Sequence, residues 1–539
     1  MMEGSACSYT YDHTGYFNTI VTDYVHAAPA LRPFYRHPVS PDGIKAAIHA
    51  REQFATDRQL LTTVLKDQYA QAGLQGHLLV DAQIELLAKP TTFSICTAHQ
   101  PNIFTGYLYF VYKVLHIVKM AAELKKEHPQ YDFVPVYYMG SEDADLEELG
   151  KVFLNGEKLV WETRQTGAVG RMKPKGLELL IERIGGELSV QPYGKELVAL
   201  LKTAYIGAPD IQTATFRLLH ALFARFGVVV LIADEPRLKR RMLPVFTDDL
   251  FAQQPSSIVR KTTAALAKNY KVQANPRAIN LFYLKNDVRN RIEKTGEEWV
   301  VVDTGIRFDE AALRRELEDH PERFSPNVIL RGLYQETILP NIVFVGGGGE
   351  LAYWLELADL FRAYEVPYPV QVLRNSFLLI EPKAAELQKK TGIDTDDLFK
   401  KEEQLLNELV KRDSAVQIHL SNEIRDAGAF YSHVQGIAGK VDSTLVPHVE
   451  SLQKRMLHQL QELEKKMLRA EKRKFSDQSR QLARLKALTF PKGNLQERTE
   501  NFMPFYATYG PDFLQWIYDA SLTFGQRFVV LSIPVLPTC

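Results

Sequence analysis

The sequence predicts an α/β protein whose core is a doubly wound parallel sheet, followed by an α-helical coiled-coil region. Two observations predict the sheet: short apolar runs alternate with stretches of helical spacing, and no tight hairpin signal joins them. A third observation predicts the coiled coil, because apolar residues recur every seven positions in a Lys-, Glu-, Gln- and Leu-rich stretch after Pro382. Parallel sheets bind ligands at the carboxyl ends of their strands, so the polar residues that follow each strand are the candidate site.

The composition indicates a multi-domain cytoplasmic protein. The chain has 539 residues, and a single core stops growing at about 250–300 residues. Its 65 basic and 65 acidic residues balance, which disfavours binding to nucleic acid or to an anionic membrane. The N-terminus has no apolar run typical of a signal peptide, and no stretch approaches the ~20 apolar residues of a membrane-spanning helix. Cys7, Cys96 and Cys539 are too few and too scattered for a disulfide framework or a cysteine-rich metal site.

Residues 1–40 are expected to form an extended, packed lead-in, because their aromatic, His and Pro residues follow no sustained period. Helical spacing then runs over residues 44–69 and 76–87, with a break at Ala72-Gly73. Two helices are therefore expected before the first strand.

The apolar run at residues 93–96 predicts the first strand, and the polar loop after it is a candidate ligand site. A long helical pattern follows the loop, and a helix N-terminus offers unpaired N–H groups to an anion. Pro101 restricts the backbone and Gly106 frees it. A well-satisfied structural turn is the alternative, since it would show the same residue types. The candidate contacts are His99, Gln100, Asn102 and Thr105.

The helix after this loop shows one apolar stripe and one polar edge. We expect the polar edge to face water. The stripe comprises Leu108, Val111, Leu115, Val118 and Ala122, and the polar edge comprises Lys113, His116, Lys119 and Glu123.

A second strand at residues 133–139 ends in an acidic corner after Gly140. Ser141 or Asp143 as a helix N-cap, with acids complementing the helix dipole at roughly 0.3–1 kcal/mol each, would explain only part of the cluster. Acids at the carboxyl end of a strand also suit an amino group, a ribose hydroxyl or Mg²⁺. The candidate residues are Ser141, Glu142, Asp143 and Asp145.

Two insertions are expected to interrupt the core, at about residues 151–210 and 236–330. The core resumes between them with a helix at residues 216–226 and an apolar run at residues 228–232. That run is apolar enough for a strand buried on both faces. Asp234 lies at its end.

A glycine-rich loop follows the strand at residues 342–345. Four glycines, Gly346 to Gly349, allow a ligand close to the backbone, and the helix predicted at residues 351–364 places its N-terminus there. No Lys follows as in a P-loop, and Glu350 disfavours a bare phosphate. A close packing point between elements is the alternative role of the glycines.

The last strand is expected at residues 369–373, ending at Arg374. In a parallel sheet these strand ends meet at one edge, so their polar residues should converge. This convergence is the main argument for an active site. The converging residues are His99, Glu142, Asp143, Asp234, Glu350 and Arg374.

Residues 381–490 predict helical coiled-coil structure. The sevenfold repeat runs from Val449 to Ala470 with one defect at Gln453, and residues 387–410 are expected to form its antiparallel partner. Such a seam packs within the chain or forms a homodimer, and the dimer is favoured because a long exposed seam requires a partner.

Residues 491–539 are expected to return to the core. Lys492 and Arg498 are suited to grip an anion there, although a plain turn has the same residues.

In their order and spacing, these motifs resemble the family of the bacillithiol biosynthesis cysteine-adding enzyme, BshC. The resemblance covers nearly the whole chain. Two details depart from the family pattern, because His99 stands where Gln is frequent and Gly347-Gly348-Gly349-Glu350 stands where Gly-Pro-Gly-Glu is frequent. The motifs are His99-Gln100-Pro101 with Phe104-Thr105-Gly106, Ser141-Glu142-Asp143 with Asp145, Ser325-Pro326-Asn327 with Arg331, Gln335 with Leu339-Pro340, Gly346 to Glu350 with Ala352-Tyr353-Trp354, and Phe490-Pro491-Lys492-Gly493 with Gln496-Glu497-Arg498.

The resemblance implies a Rossmann-like core over residues 1–380 with connecting-peptide insertions, and a coiled-coil domain that forms a homodimer. It also implies the joining of the cysteine carboxyl to the amine of glucosaminyl malate. A carboxylate does not form an amide at neutral pH without activation, so ATP or ADP, with Mg²⁺, is the expected cofactor. The sequence has no P-loop, His-x-Gly-His or Lys-Met-Ser-Lys-Ser signature, so the mode of activation stays open.

Residue roles are assigned as hypotheses, with no metal ligand among them. The catalytic candidates are His99, Glu142 and Asp143, of which His99 or Asp143 would be the base. The substrate contacts are Gln100, Asn102, Thr105, Ser141, Asp145, Asp234, Asn327, Arg331, Gln335, Gly347, Gly348, Gly349, Glu350, Tyr353 and Arg374. The nucleotide contacts are Lys492, Gly493, Gln496 and Arg498.

Two alternatives to this function are a non-enzymatic nucleotide- or metabolite-binding coiled-coil scaffold, and an ATP-dependent ligase or nucleotidyltransferase that uses another amino acid.

Overall fold

The computed structural model describes residues 6–417 and 419–534, so Cys539 lies outside the described residues. The chain divides into two compact units. The first unit comprises the chain up to Leu378 together with Asn494–Leu531, and the second comprises Leu379–Gly493 with a short return that begins at Ser532.

The strands in chain order are β1 (Ala6–Tyr9), β2 (Thr92–His99), β3 (Asp132–Met139), β4 (Lys151–Leu154), β5 (Glu157–Val160), β6 (Val229–Ile232), β7 (Leu281–Lys285), β8 (Val288–Thr295), β9 (Glu298–Val301), β10 (Arg307–Phe308), β11 (Phe324–Pro326), β12 (Asn341–Gly346), β13 (Val370–Leu373), β14 (Ser376–Ile380) and β15 (Phe528–Ser532). The α-helices of the first unit are α1 (Tyr11–Thr14), α2 (Thr19–Val25), α3 (Pro41–Glu52), α4 (Arg58–Ala72), α5 (Leu78–Leu87), α6 (Tyr109–Glu127), α7 (Leu146–Leu149), α8 (Leu177–Leu188), α9 (Gly194–Tyr205), α10 (Ile211–Phe223), α11 (Pro236–Lys239), α12 (Leu243–Thr247), α13 (Gln254–Leu266), α14 (Glu310–Asp319), α15 (Val328–Ile338), α16 (Gly348–Trp354) and α17 (Ala358–Ala363). The second unit contains α18 (Pro382–Thr391), α19 (Glu402–Asp413), α20 (Ser421–Val441), α21 (Val446–Lys472) and α22 (Ser476–Thr489), after which α23 (Met503–Tyr509) and α24 (Pro511–Ala520) belong to the first unit.

The core of the first unit is a five-stranded sheet with the strand order β13-β12-β2-β3-β6. Every neighbouring pair in it is parallel, as expected for a doubly wound sheet. The chain runs outward from β2 through β3 to β6 and then resumes at β12 on the other side of β2. The strand order therefore reverses between β2 and β12, which is where ligands bind in such sheets.

The N-terminal region differs from the expected extended lead-in and pair of helices, because β1, α1 and α2 form within residues 1–40 and three more helices precede β2. The pattern over residues 44–69 is divided because the Asp57 side chain accepts a hydrogen bond from the Leu60 N–H at 3.0 Å and starts α4 there.

Helix α6 is buried over the first half of the edge that was expected to face water. Lys113 is 2% exposed and His116 is 1% exposed. The Lys113 ammonium donates to the Ala98 carbonyl at 2.6 Å, and His116 Nδ1 accepts from the Asn375 N–H at 3.2 Å. The expectation of a wet edge is wrong for Lys113 and His116, because these polar groups find partners inside the protein, whereas Lys119 and Glu123 are half-buried.

Both expected insertions contain antiparallel strands. Strands β4 and β5 form a hairpin, and β10-β9-β8-β7-β11 form a five-stranded sheet. The expectation that no tight hairpin signal exists is wrong within these segments. Asn155-Gly156 joins β4 to β5 with φ angles of 50° and 81°, which is the left-handed backbone that an Asn-Gly turn provides.

The sheet of the core is not the last β-structure of the chain. Strands β14 and β15 follow β13 and form a three-stranded sheet in the order β1-β15-β14. The expectation that β13 is the last strand is wrong, because β14 follows two residues after it and β15 lies beyond the helical region.

In the second unit, α20 packs along the long helix α21. The expected partner, residues 387–410, instead contains the end of α18 and most of α19. The heptad defect at Gln453 faces Gly428 of α20, whose carbonyl accepts from Gln453 Nε2 at 3.1 Å. Among the described residues, no helix is long and apolar enough to cross a membrane.

Candidate active site

A cavity of about 460 Å³ lies at the carboxyl ends of β2, β3 and β12, beside the point where the strand order reverses. All of its lining residues belong to the first unit. Those predicted from the sequence are His99, Gln100, Glu142, Asp143, Asn327, Arg331, Gly347, Gly348, Gly349, Glu350, Tyr353, Arg374 and Arg498.

His99 ends β2 and is half-buried in the cavity wall. Its carbonyl accepts from the Gly140 N–H at 2.9 Å, and its Nε2 lies 3.4 Å from the Tyr109 hydroxyl. Burial lowers the pKa of His99 well below its ordinary value, and the positive charges of Lys113 and Arg331 lower the pKa further. His99 is therefore neutral at physiological pH.

Asp143 follows β3 and accepts a hydrogen bond from Gln100 Nε2 at 3.1 Å. Arg289 Nη1 lies 3.8 Å from its carboxylate. Burial alone would raise the pKa of Asp143, but the Arg289 charge and the Gln100 hydrogen bond outweigh burial and lower it. Asp143 is a stable anion and hence a weak proton acceptor.

Glu142 belongs to a buried chain of alternating charges. Its carboxylate contacts the ammonium of Lys239, which also lies 3.0 Å from Asp234. Arg171 binds Asp234 through Nε at 2.6 Å and Nη2 at 2.8 Å. Burial raises the pKa of Glu142 despite the opposing charge of Lys239. Glu142 is thus the lining carboxylate whose proton affinity is raised.

The glycine-rich loop is stabilised by Glu350. The Glu350 carboxylate accepts from the Gly347 N–H at 2.8 Å and from Lys113 Nζ at 2.6 Å. Gly348 approaches α2 so closely that a Cβ there would lie 2.9 Å from the Val21 side chain. The carboxylate of Glu350 therefore already occupies the position in which an anionic ligand would cap α16.

Guanidinium groups line the rest of the cavity. Arg331 donates to the Tyr353 hydroxyl at 3.1 Å, and Arg374 is bound by the buried Glu497 at 2.6 Å. Arg289 and Arg498 complete the set. Four guanidinium groups near three carboxylates favour a ligand that carries both carboxylates and an amine.

The C-terminal segment of the first unit supports the loop after β2. Asn501 Nδ2 donates to the Phe104 carbonyl at 3.1 Å, and the Leu108 N–H donates to the Glu500 carbonyl at 2.7 Å. Phe104 and Thr105 have φ angles of 50° and 68°, a left-handed backbone that costs energy in non-glycine residues. The C-terminal segment holds this backbone in place.

Other predicted contacts do not line the cavity. Asp145 caps α7 by accepting from the Glu148 N–H at 3.0 Å, so the expected N-cap at Ser141 or Asp143 is wrong. Asp234 is bound to Arg171 and Lys239. Five more of the predicted contact residues are buried and do not line the cavity: Asn102, Thr105, Ser141, Gln335 and Gln496. Lys492 and Gly493 belong to the second unit.

Sequence reasoning missed several lining residues and their supports. Tyr109 and Tyr138 lie on core elements where aromatic residues are ordinary, and Arg289 and Gln273 lie in the second insertion. Only the motif at Ser325-Pro326-Asn327 signalled that this insertion reaches the site. The missed supports are Lys113, Arg171, Lys239 and Glu497.

Fold and cavity together define a Rossmann-like protein with a charged cavity at the carboxyl ends of its parallel strands. Family comparisons agree with this class. The model of the bacillithiol biosynthesis BshC N-terminal Rossmann-like domain matches residues 2–375, and that of the BshC C-terminal coiled-coil domain matches residues 377–533. The chain belongs to the BshC family, and the predicted family and fold class are confirmed.

Curated relatives match almost the whole chain. The protein named "Putative cysteine ligase BshC" from Flavobacterium johnsoniae is 35% identical over 526 residues, covering 97% of this chain and 99% of the relative. The protein of the same name from Cytophaga hutchinsonii is 36% identical over 490 residues, covering 91% and 92%. Among solved structures, a putative arginyl-tRNA synthetase from Campylobacter jejuni covers 83% of this chain and 99% of its own at 10% identity and a TM-score of 0.22.

Proposed function

We propose that this cavity joins the carboxyl group of L-cysteine to the amine of glucosaminyl malate, which forms bacillithiol. Membership of the BshC family and relatives named cysteine ligases support this reaction. The observation that carries the proposal is the charge pattern of the cavity, where carboxylates and guanidinium groups face one space. Glucosaminyl malate carries the complementary groups, an amine and two carboxylates.

Arg331 is the principal candidate for the malate carboxylates. Arg331 lines the cavity and uses Nη2 to bind the Tyr353 hydroxyl, and Asn327, one helical turn earlier, lines the cavity as well. A planar guanidinium binds a carboxylate through two parallel hydrogen bonds. Arg289 and Arg498 offer further positive charge for the second carboxylate.

Glu142 is the candidate base for the amine, because it lines the cavity and its pKa is raised. The amine nitrogen attacks the carbonyl carbon of activated cysteine, the activating group leaves with its bonding electrons, and the nitrogen gives up a proton. A general base works best when its pKa lies near the operating pH, so a carboxylate with a raised pKa is better suited than an ordinary one. The pKa of Glu142 is raised by burial, whereas burial lowers that of His99 and nearby cations lower that of Asp143. Neutral His99 is then suited to hydrogen-bond the substrate.

The source of activation is a separate part of the proposal. We keep ATP as the predicted donor on chemical grounds, because amide formation requires an activated carboxyl. The residues predicted to bind it do not outline a nucleotide site within the first unit, since Arg498 lines the cavity while Gln496 is buried and Lys492 belongs to the second unit. Among the described residues, no group of three or more His, Cys, Asp or Glu side chains is arranged to hold a metal ion.

Homodimer formation is also part of the proposal. Helices α20 and α21 expose apolar side chains that a monomer leaves in water: Phe430 is 62% exposed, Ile437 is 53% exposed and Leu463 is 47% exposed. Such a surface is typical of a protein interface. A cytoplasmic location is proposed as well, because a thiol substrate, a thiol product and the exposed free thiol of Cys7 suit a reducing compartment.

The test incubates purified protein with cysteine, glucosaminyl malate, ATP and Mg²⁺, and mass spectrometry follows the condensed thiol, AMP and ADP. Product with AMP indicates an acyl-adenylate, and product with ADP indicates an acyl-phosphate. Serine and alanine in place of cysteine test the choice of amino acid. The variant Glu142→Gln should bind glucosaminyl malate and form little product, whereas full activity of this variant would remove Glu142 from the base role. Failure of the wild-type protein to bind glucosaminyl malate would refute the proposed function.

A further inference from the structure

Asp249 is a buried carboxylate outside the cavity with no ion-pair partner among the described residues. Its side chain is fully buried, in the segment that follows α12. Its two oxygens accept hydrogen bonds from one residue, since the Asn280 N–H donates to Oδ2 at 2.6 Å and Asn280 Nδ2 donates to Oδ1 at 2.9 Å. A charge without a cation partner is costly to bury, so its presence requires an explanation.

Asn280 connects Asp249 to the cavity wall. The Asn327 N–H donates to the Asn280 carbonyl at 3.0 Å, and Asn327 Nδ2 donates to Asn280 Oδ1 at 3.2 Å. The two asparagines are therefore joined through both main chain and side chain. Asn327 lines the cavity, and Asp249 reaches it through a single intermediate residue.

Asn327 in turn fixes the start of α15, the helix that carries Arg331. Its Oδ1 accepts from the Ile329 N–H at 2.8 Å as the helix N-cap. Its carbonyl accepts from the Arg331 N–H at 2.9 Å. A displacement of Asn327 would consequently move the first turn of α15 and the guanidinium group that faces the cavity.

The surroundings of Asp249 disfavour its charged form. Burial raises the pKa of Asp249 to about 7, and the two hydrogen bonds from Asn280 lower it only in part. Tyr364 is an ionisable group near Asp249, and its hydroxyl donates a hydrogen bond to the neighbouring Asp248 at 3.2 Å. Asparagine would be cheaper to bury than an unpaired carboxylate at this position, so the strong acceptor is better explained by its two hydrogen bonds from Asn280.

We propose that Asp249 is a positioning residue that holds Asn327 and the first turn of α15 through Asn280, and thereby sets the affinity of the cavity for its carboxylate-bearing substrate. The identity of that substrate as glucosaminyl malate rests on the proposed function. The hydrogen-bonded connection between Asp249 and α15 is independent of the proposed function.

The test compares wild-type protein, Asp249→Asn and the matched control Asp248→Asn. The control makes the same chemical change one residue away, where the carboxylate is half-buried and binds Tyr364. A fourth variant exchanges the pair, Asp249→Asn with Asn280→Asp. In this variant the carboxylate moved to position 280 can accept from the amide moved to position 249 and from Asn327, so the connection to the cavity wall is rebuilt. Hydrogen exchange measures protection of the amides at residues 327–331, and calorimetry measures the dissociation constant for glucosaminyl malate.

Asp249→Asn should reduce protection over residues 327–331 and weaken glucosaminyl malate binding about tenfold, because a hydrogen bond to a charged group is lost from the connection. Asp248→Asn should change neither quantity, and the exchanged pair should restore both. Unchanged protection and affinity in a folded Asp249→Asn protein would overturn the proposal, as would equal losses in Asp248→Asn.

A merely structural role predicts a lower melting temperature with unchanged affinity, and that result would also overturn the proposal. If wild-type protein does not bind glucosaminyl malate, the proposed function fails. The exchange data still decide whether Asp249 positions α15, because they need no ligand.

Discussion

Replacing Lys239 by Met should both destabilise the protein and change the pH dependence of its activity. Lys239 is completely buried, contacts Glu142 and lies 3.0 Å from Asp234. Methionine fills a similar volume but removes the cation, which leaves two buried carboxylates. Arg171 still neutralises Asp234, so Glu142 is the group left without a partner.

The magnitude follows from the burial of this pair. Removing one partner of a buried ion pair typically costs about 3–5 kcal/mol. Without Lys239, the pKa of Glu142 should rise further above its ordinary value, because the charge that opposed the effect of burial is gone. A raised folded-state pKa means that the folded protein holds a proton that the unfolded chain has released. The loss of stability should therefore be larger at pH 8 than at pH 5.5.

Two measurements test this. Urea denaturation at both pH values gives the free energy of unfolding, and the pH profile of kcat/KM should show its acidic limb at higher pH in the variant, because Glu142 must be deprotonated to act as the base. Lys268→Met is the control, since Lys268 is exposed. An unchanged acidic limb in a folded, active Lys239→Met protein would refute the assignment of Glu142 as the base under the influence of Lys239.

Three further predictions concern other parts of the molecule. Arg331→Lys should weaken glucosaminyl malate binding by about ten- to hundredfold in calorimetry, because bidentate contact to a carboxylate is lost. The surface variant Arg277→Lys should bind as tightly as wild type. Equal affinities of Arg331→Lys and wild type would exclude Arg331 as a contact. Asp249→Asn should gain stability relative to wild type as pH rises from 4 to 7, by about 3 kcal/mol in urea denaturation, because the pKa of the buried carboxyl is about 7 and that of the unfolded one is about 4. A pH-independent difference would contradict this. The double variant Phe430→Glu, Ile437→Glu should sediment as a monomer of 61.4 kDa, whereas the wild-type protein should sediment as a dimer. The control Val190→Glu, in the first unit, should remain dimeric. A monomeric wild-type protein would refute the dimer.

The parallel sheet could be predicted because its strands are apolar on both faces and its crossovers have helical spacing. Residues immediately after β2, β3 and β12 could be placed in one site for the same reason, since parallel strands deliver their carboxyl ends to one edge. Side-chain burial could not be predicted. Lys113 looks like a surface residue of an amphipathic helix, and only the folded structure shows that Glu350 and the Ala98 carbonyl bind it.

The residues that distant segments contribute to the site could not be predicted from the sequence either. Arg289 comes from an antiparallel strand of the second insertion, and Lys239 pairs with a residue 97 positions away. Their charges resemble those of ordinary surface residues. Helix α20 was not predicted as the partner of α21 for a different reason, because Gly428, Gly436 and Gly439 weaken both its propensity and its heptad pattern. Packing against α21 overrides that weakness.

The position of the C-terminal segment in the chain affects the order in which the protein is synthesised and folds. Asn501 donates a hydrogen bond to the Phe104 carbonyl, 397 positions away in the sequence, and Glu497 binds Arg374, 123 positions away. A chain emerging from the ribosome therefore completes the sheet, both insertions and the helices of the second unit before the parts that shape its cavity are available. Contacts of such long range form late and slowly. Catalytic competence is thus the last property that a newly made molecule acquires, and a chain released early would be nearly full-sized yet inactive.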